Sequence, residues 1–302
     1  MTMSHRAKFV RWLTSGYMQK LDVAHVPVET ARKHLETIAR TLLVKAVGVS
    51  VEPSELAGIE VDWHRPKNAR GDKVLFYLHG GAYVIGSRRT HRQLVSHIAR
   101  EAGVTAVIPE YRLAPENPFP AAIDDAVAVY RALLESGFKP ENIVISGDSA
   151  GGGLSVATLL ALRHAGDPMP AAAVLLSPFL DVTASGESAT TRADQDPWFD
   201  VSDMAVVARY YCPDETKWRD PLVSPVFANV SGLPPMLIQV GDDEILLSDS
   251  TRLAEKLEAA GIDVEIEIWP DMWHVFPMFV GKMPEARRAV EKIGAYIDKA
   301  FP

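Results

Sequence analysis

The chain has 302 residues, 47% hydrophobic and 23% charged, the composition of one large globular domain or of a domain with a small appendage. A chain of this length can bury about three quarters of its unfolded surface, and with Cys212 as its only cysteine it forms no internal disulfide. Its 31 basic and 39 acidic residues leave a net charge of −8 with no block of like charge, which argues against nucleic acid and against an anionic membrane surface as partners.

At the N-terminus, Arg6, Lys8 and Arg11 interrupt any apolar core of a secretory signal. No run approaches the roughly 18 apolar residues of a membrane span. Together with the lone cysteine, read as an ordinary packed or surface thiol, these features make a cytoplasmic protein the expectation. Residues 1–50 read as helices, with Ala31, Leu35, Ile38, Leu42 and Leu43 at helical intervals over 29–47 and Thr30 as a cap.

From Ile59 the texture changes. Short apolar runs at 74–78, 104–108, 143–146, 172–177, 236–240 and 264–269 suit strands, most of them buried on both faces as in a parallel sheet. Helical stretches at 90–102, 121–136, 152–165 and 248–260 alternate with them. That alternation implies right-handed βαβ units and a three-layer α/β domain over 51–302 with a mostly parallel sheet. Residues 181–225 break the rhythm: they hold no clear strand, carry Asp194, Asp196, Trp198 and Phe199, and end in an aromatic helix around Tyr210 and Tyr211. An insertion of that size has the length of a functional lid.

The chemistry centres on Gly147-Asp148-Ser149-Ala150-Gly151, between a buried strand and a helix. Gly-x-Ser-x-Gly in that setting is a nucleophile elbow, where a strained turn exposes the serine and flanking glycines let neighbouring segments approach. A serine hydroxyl needs a base, and the base needs an orienting acid, in the chain order serine, acid, histidine. His274 follows the strand at 264–269 and precedes the last helix, whereas His91, His97 and His164 lie in helical stretches. For the acid, the strand at 236–240 leads into Asp242-Asp243-Glu244, three carboxylates of which two must be solvated charges or helix caps. For the oxyanion, His79-Gly80-Gly81-Ala82 follows the strand at 74–78 and can turn N–H groups toward a developing charge, with the Ala150 N–H as the other donor.

The segments HGGA, Tyr111-Arg112-Leu113-Ala114-Pro115-Glu116, GDSAGG and DMWH, in this order, resemble the hormone-sensitive-lipase-like bacterial esterases of the α/β-hydrolase superfamily. The resemblance runs from about Val74 to the C-terminus. It implies an α/β-hydrolase fold, hydrolysis of small carboxylic esters without cofactor or metal, frequent homodimers, and a helical cap built from residues 1–50 and 181–225. The family pattern makes Gly81, Ala82 and Ala150 the oxyanion donors, with Gly80 as a further candidate. Ala82 stands where the family has a third glycine. Matching the family's acid motif through Leu246 puts Glu244 in the acid's place, with Ile245 replacing a proline; Asp243 fits if the loop shifts by one residue. Asp148 then reads as a structural hydrogen-bonding residue, and Met272 and Trp273 as pocket wall or core. Two rival readings remain at this stage: a lactone or amide hydrolase with the same triad, and a non-catalytic ligand-binding homologue.

Overall fold

The computed structural model describes residues 3–18 and 21–302, without the side chains of 17 and 18; positions 1–2 and 19–20 of the expected N-terminal helical region lie outside the described residues. Two helices come first, α1 (His5–Met18) and α2 (Val28–Leu42). The second departs from expectation at both ends. Pro27 occupies the N-cap, and Thr30 lies inside the first turn with its N–H on the Pro27 carbonyl. Leu43 turns extended at φ −86° and ψ 144° and packs with the Met272 and Trp273 cluster, so tertiary contact ends the helix before the apolar spacing does.

An antiparallel hairpin follows, β1 (Val49–Leu56) and β2 (Ile59–Pro66), starting ten residues before the sequence texture changes. β1 is an edge strand with mostly exposed side chains, so it lacks the apolar run that marks the buried strands. The rest alternates as read: β3 (Arg70–Leu78), α3 (Arg92–Ala102), β4 (Val104–Pro109), α4 (Ala121–Glu135), β5 (Ile143–Asp148), α5 (Ala150–Ala165) and β6 (Ala172–Leu176). Residues 181–225 contribute only the short helix α6 (Ser188–Thr191) and α7 (Val201–Tyr211) besides single turns, and no strand. β7 (Met236–Gly241), α8 (Leu247–Ala259), β8 (Val264–Trp269) and α9 (Pro284–Ala300) complete the chain.

The eight strands form one sheet in the order β1-β2-β4-β3-β5-β6-β7-β8, in which β2 alone runs against the others. β4 through β7 are buried along their whole length. Each fully buried Val, Leu or Ile there contributes about 1.5–3 kcal/mol. α3 and α9 cover one face, and α4, α5 and α8 cover the other. From β3 the chain steps outward to β4 and then back across to β5 on the other side of β3. Strand order therefore reverses there, and the loops after β3 and β5 leave a crevice at the carboxyl ends of adjacent strands.

One buried carboxylate ties the start of the 181–225 segment to this frame. Asp249 Oδ2 on α8 accepts the Leu180 N–H at 2.7 Å and the Asp181 N–H at 3.0 Å. Burial pushes the Asp249 carboxyl up from 3.8 to about 8, the two N–H donors pulling only part of the way back. A raised folded value means that the neutral acid stabilises the fold: its contribution is complete below pH 3.8 and is lost as pH rises through about 8. Thermal unfolding should thus show a falling midpoint between pH 5 and about 8.5 that is flatter in Asp249→Asn, whose amide oxygen keeps both N–H bonds. An identical slope in the variant would remove Asp249 as the cause.

Candidate active site

β5 ends at Asp148 and α5 begins at Ala150, so Ser149 alone makes the turn, at φ 52° and ψ −123°. Such a backbone costs a non-glycine residue about 1–3 kcal/mol and persists because its surroundings over-determine it. The Ser149 N–H donates to the Leu176 carbonyl at 2.9 Å, and its own carbonyl accepts from Phe179 at 2.9 Å and Gly153 at 3.1 Å. Close approach requires the flanking glycines: a Cβ on Gly151 would lie 2.0 Å from the Leu78 carbonyl oxygen. Ser149 is partly exposed between the buried residues Asp148 and Ala150. As the residue capping α5 it also sits at the positive end of that helix dipole.

The three successive carboxylates after β7 separate cleanly. Asp242 pairs with Arg192 of the 181–225 segment at 3.0 Å, and Asp243 pairs with Arg11 of α1 at 2.5 Å. Glu244 alone turns inward, its Oε2 2.8 Å from Nδ1 of His274, with both side chains buried. Its other oxygen accepts the Ser177 hydroxyl at 2.8 Å and the Gly241 N–H at 2.6 Å. With Glu244 as acceptor the ring proton belongs on Nδ1, leaving the Nε2 lone pair free to take a proton.

Ser177 is a site residue that the sequence reading passed over as the end of a strand. It follows β6 in the left-handed region at φ 44°, donates to Glu244, and accepts the Val275 N–H at 3.1 Å. Because its neighbour Leu176 holds the Ser149 N–H, one dipeptide links the elbow to the histidine loop. The signal that could have found it is its place at a strand's carboxyl end, where this fold class builds its sites.

The loop after β3 behaves differently from one of its expectations. The Gly80 N–H donates to Asp148 Oδ1 at 3.1 Å, so in this structure it already has an acceptor. The N–H groups of Gly81, Ala82 and Ala150 have no acceptor among the described residues. Ala82 and Tyr83 adopt φ values of 56° and 62°, conformations that cost a residue with a Cβ about 1–2 kcal/mol. They are held by Val84 and Ile85 N–H bonds to the Gly81 carbonyl and by a Tyr83–Tyr211 stack with centroids 3.7 Å apart.

As expected, Asp148 makes structural hydrogen bonds: Oδ1 also accepts from Tyr77 OH at 2.8 Å, and Oδ2 lies 3.2 Å from His91 Nε2. His91, which the sequence places only in a helical stretch, is thus a buried partner of that carboxylate. Burial alone would lower its pKa, but the Asp148 charge and hydrogen bond, with the Ser87 carbonyl and Glu36, together raise it. Burial in turn works to raise the Asp148 carboxyl, and His91 and the Tyr77 hydroxyl help hold it below its usual range. The Tyr111–Glu116 segment braces this loop, through Tyr111 OH on the His79 carbonyl at 2.7 Å and the Ala114 N–H on the Tyr83 carbonyl at 2.9 Å.

Over His274 lie two rings of the 181–225 segment, Phe199 edge-on with its centroid at 4.8 Å and Trp198 at 6.3 Å. Met272 and Trp273 are buried in the aromatic cluster behind them. Among the described residues, the one group of carboxylates and histidine close enough to hold a cation is Asp22, His25 and Asp203, which shares no residue with this site. A buried carboxylate–imidazole pair, a strained serine and unpaired N–H donors together can perform acyl transfer.

Residues 75–278 match the family model described as the alpha/beta hydrolase fold. The chain is 46% identical over 239 residues to an acetyl-hydrolase of Streptomyces hygroscopicus, covering 79% of each protein. It is 39% identical over 248 residues to an esterase of Acinetobacter venetianus, covering 82% of each. Among solved structures it resembles an esterase from the bacterial hormone-sensitive lipase family, with a TM-score of 0.92, 41% identity and full coverage of both chains.

Proposed function

Because the chain belongs to the α/β-hydrolase-fold family, with hormone-sensitive-lipase-like esterases as its relatives, and is a carboxylic ester hydrolase, we propose that it cleaves short-to-medium-chain esters through Ser149, His274 and Glu244. The observation that carries this reading is the buried 2.8 Å contact between His274 Nδ1 and Glu244 Oε2, one dipeptide away from the strained Ser149 elbow. His274 Nε2 takes the Ser149 hydroxyl proton as Oγ attacks the ester carbonyl. The N–H groups of Gly81, Ala82 and Ala150 stabilise the oxyanion, and the imidazolium, oriented by Glu244, gives its proton to the departing alkoxide. Water then repeats the sequence on the acyl-enzyme: His274 accepts its proton, hydroxide adds to the acyl carbon, and Ser149 leaves with the proton returned.

In this proposal α1, α2 and residues 181–225 form a cap over the crevice. Arg11 supports it, since it reaches from α1 to Asp243 at 2.5 Å and to the Gln195 carbonyl at 2.6 Å. The same proposal keeps the enzyme cytoplasmic and homodimeric, in line with its single cysteine and with the habit of the family. No helix among the described residues is long and apolar enough to cross a membrane.

Chain-length selectivity tests the cap. Phe199 and Trp198 pack against the imidazole, which supports a roofed acyl pocket of finite length, and the name of the acetyl-hydrolase relative agrees with a short acyl group. Each methylene buried adds about 0.8 kcal/mol until the pocket is full, after which further carbons gain nothing. A series of nitrophenyl esters should peak between about two and eight acyl carbons, without activation by an oil–water surface. A maximum at twelve or more carbons, interfacial activation, or faster turnover of lactones or amides would overturn this reading of the pocket.

A further inference from the structure

We infer that Asp196 of the cap is a positioning residue for this triad: one carboxylate fixes both the loop that carries Glu244 and the aromatic pair packed on His274. The inference rests on the function proposed above.

Asp196 Oδ2 accepts the N–H of Ile245, the residue immediately after Glu244, at 2.9 Å. Its Oδ1 accepts the N–H groups of Trp198 at 2.9 Å and Phe199 at 3.1 Å, the two residues whose rings lie over the imidazole. The backbone before Glu244 is already held, by Asp242 N–H on the Trp269 carbonyl and Asp243 N–H on the Met272 carbonyl. After Glu244 the loop is held by the Leu247 N–H on the Glu244 carbonyl at 3.2 Å and by the cap: Ser188 Oγ donates to the Ile245 carbonyl at 2.6 Å, and Asp196 takes the Ile245 N–H. Glu244 therefore sits on a strap fastened at one end to the histidine loop and at the other to the cap.

The chemistry of the knot calls for a carboxylate. Two oxygens accept three N–H donors, and an ionised carboxylate does so without conflict. A proton on the carboxyl, or the NH2 of an isosteric amide, would set a donor against a donor on one side. Burial raises the Asp196 carboxyl above its usual range and Glu244 adds to that, while the Ile245 and Trp198 N–H groups and His274 oppose it. The other charges of the loop are already engaged, Asp242 with Arg192 and Asp243 with Arg11. Among the described residues Asp196 makes no ion pair, and its three N–H contacts orient backbone.

The full-length protein, Asp196→Asn and Asp196→Ala are compared by steady-state kinetics on nitrophenyl acetate, by proton NMR of the far-downfield His274 Nδ1–H, and by thermal unfolding. In the native enzyme a hydrogen-bonded Nδ1–H resonance is expected. In Asp196→Asn, which keeps the side-chain volume, that resonance should broaden or move, kcat should fall about 10- to 100-fold, and KM should stay within about threefold. If Asp196→Ala fails to fold, the isosteric variant carries the comparison. An unchanged resonance with unchanged kcat in Asp196→Asn overturns the proposal. A native enzyme that shows no such resonance overturns the triad reading itself, and the inference with it, before any variant is made.

Discussion

Replacing Ser149 by alanine should lower ester turnover by about 10³- to 10⁶-fold while leaving the fold intact. The size follows from the mechanism: the residual rate is what oxyanion donors and binding supply without a nucleophile, and triad members act as a unit. The fold should be spared because the elbow is held by backbone bonds, from the Ser149 N–H to Leu176 and to its carbonyl from Phe179 and Gly153, which alanine keeps. Alanine meets the strained φ of 52° at the same Cβ position as serine does. The companion measurement is chemical. A sulfonyl fluoride should transfer its sulfonyl group to Ser149 Oγ with loss of fluoride and of the hydroxyl proton, adding one equivalent of mass. Alanine at 149 should leave the protein unmodified. Turnover that survives Ser149→Ala, or an adduct on another residue, would move the nucleophile elsewhere.

The elbow could be read from sequence because everything that defines it is local. Strand, serine and both glycines fall within a dozen residues, and the glycines are required by contacts of their own turn with the neighbouring strand. The same holds for the buried strands at β4 to β7, whose unbroken apolar runs reflect helices on both faces. β1 escaped because an edge strand with one ladder and exposed side chains carries no such run. The end of α2 escaped for a related reason: Leu43 belongs to the apolar series, but the cluster around Trp273 draws it out of the helix.

Other parts of the site depend on partners that sequence spacing does not bring together. Gly80 looks like a donor in HGGA, yet its N–H is taken by Asp148, 68 positions away. Ser177 offers no motif, and its importance comes from meeting Glu244 and Val275 across β6, β7 and β8. His91 looks like any polar residue at a helix start until Asp148 is placed 3.2 Å from its ring. In each case the deciding contact is long-range, and no local period reports it.

The acid loop depends on such contacts most of all, and it gives the second large effect. Glu244→Ala should reduce kcat/KM by about 10³- to 10⁴-fold, and Glu244→Gln by a similar amount, because an amide oriented by Ser177 and Gly241 favours the wrong imidazole tautomer. Asp243→Ala should cost less than about tenfold. Its carboxylate reaches Arg11 through a partly exposed ion pair, the class worth about 0–1 kcal/mol, whereas the carboxylate paired with His274 is that of Glu244. The contrast is informative because the two residues are neighbours of nearly equal chemistry: only the group bonded to Nδ1 fixes the ring proton and stabilises the imidazolium. Thermal unfolding must accompany both, since Asp243 also links α1 to the loop and Glu244 caps the Gly241 N–H. If the Asp243 variant collapses in activity while folded, and the Glu244 variants keep theirs, the loop operates in the register shifted by one residue. The 2.8 Å contact to His274 would then be a resting arrangement that opens before catalysis.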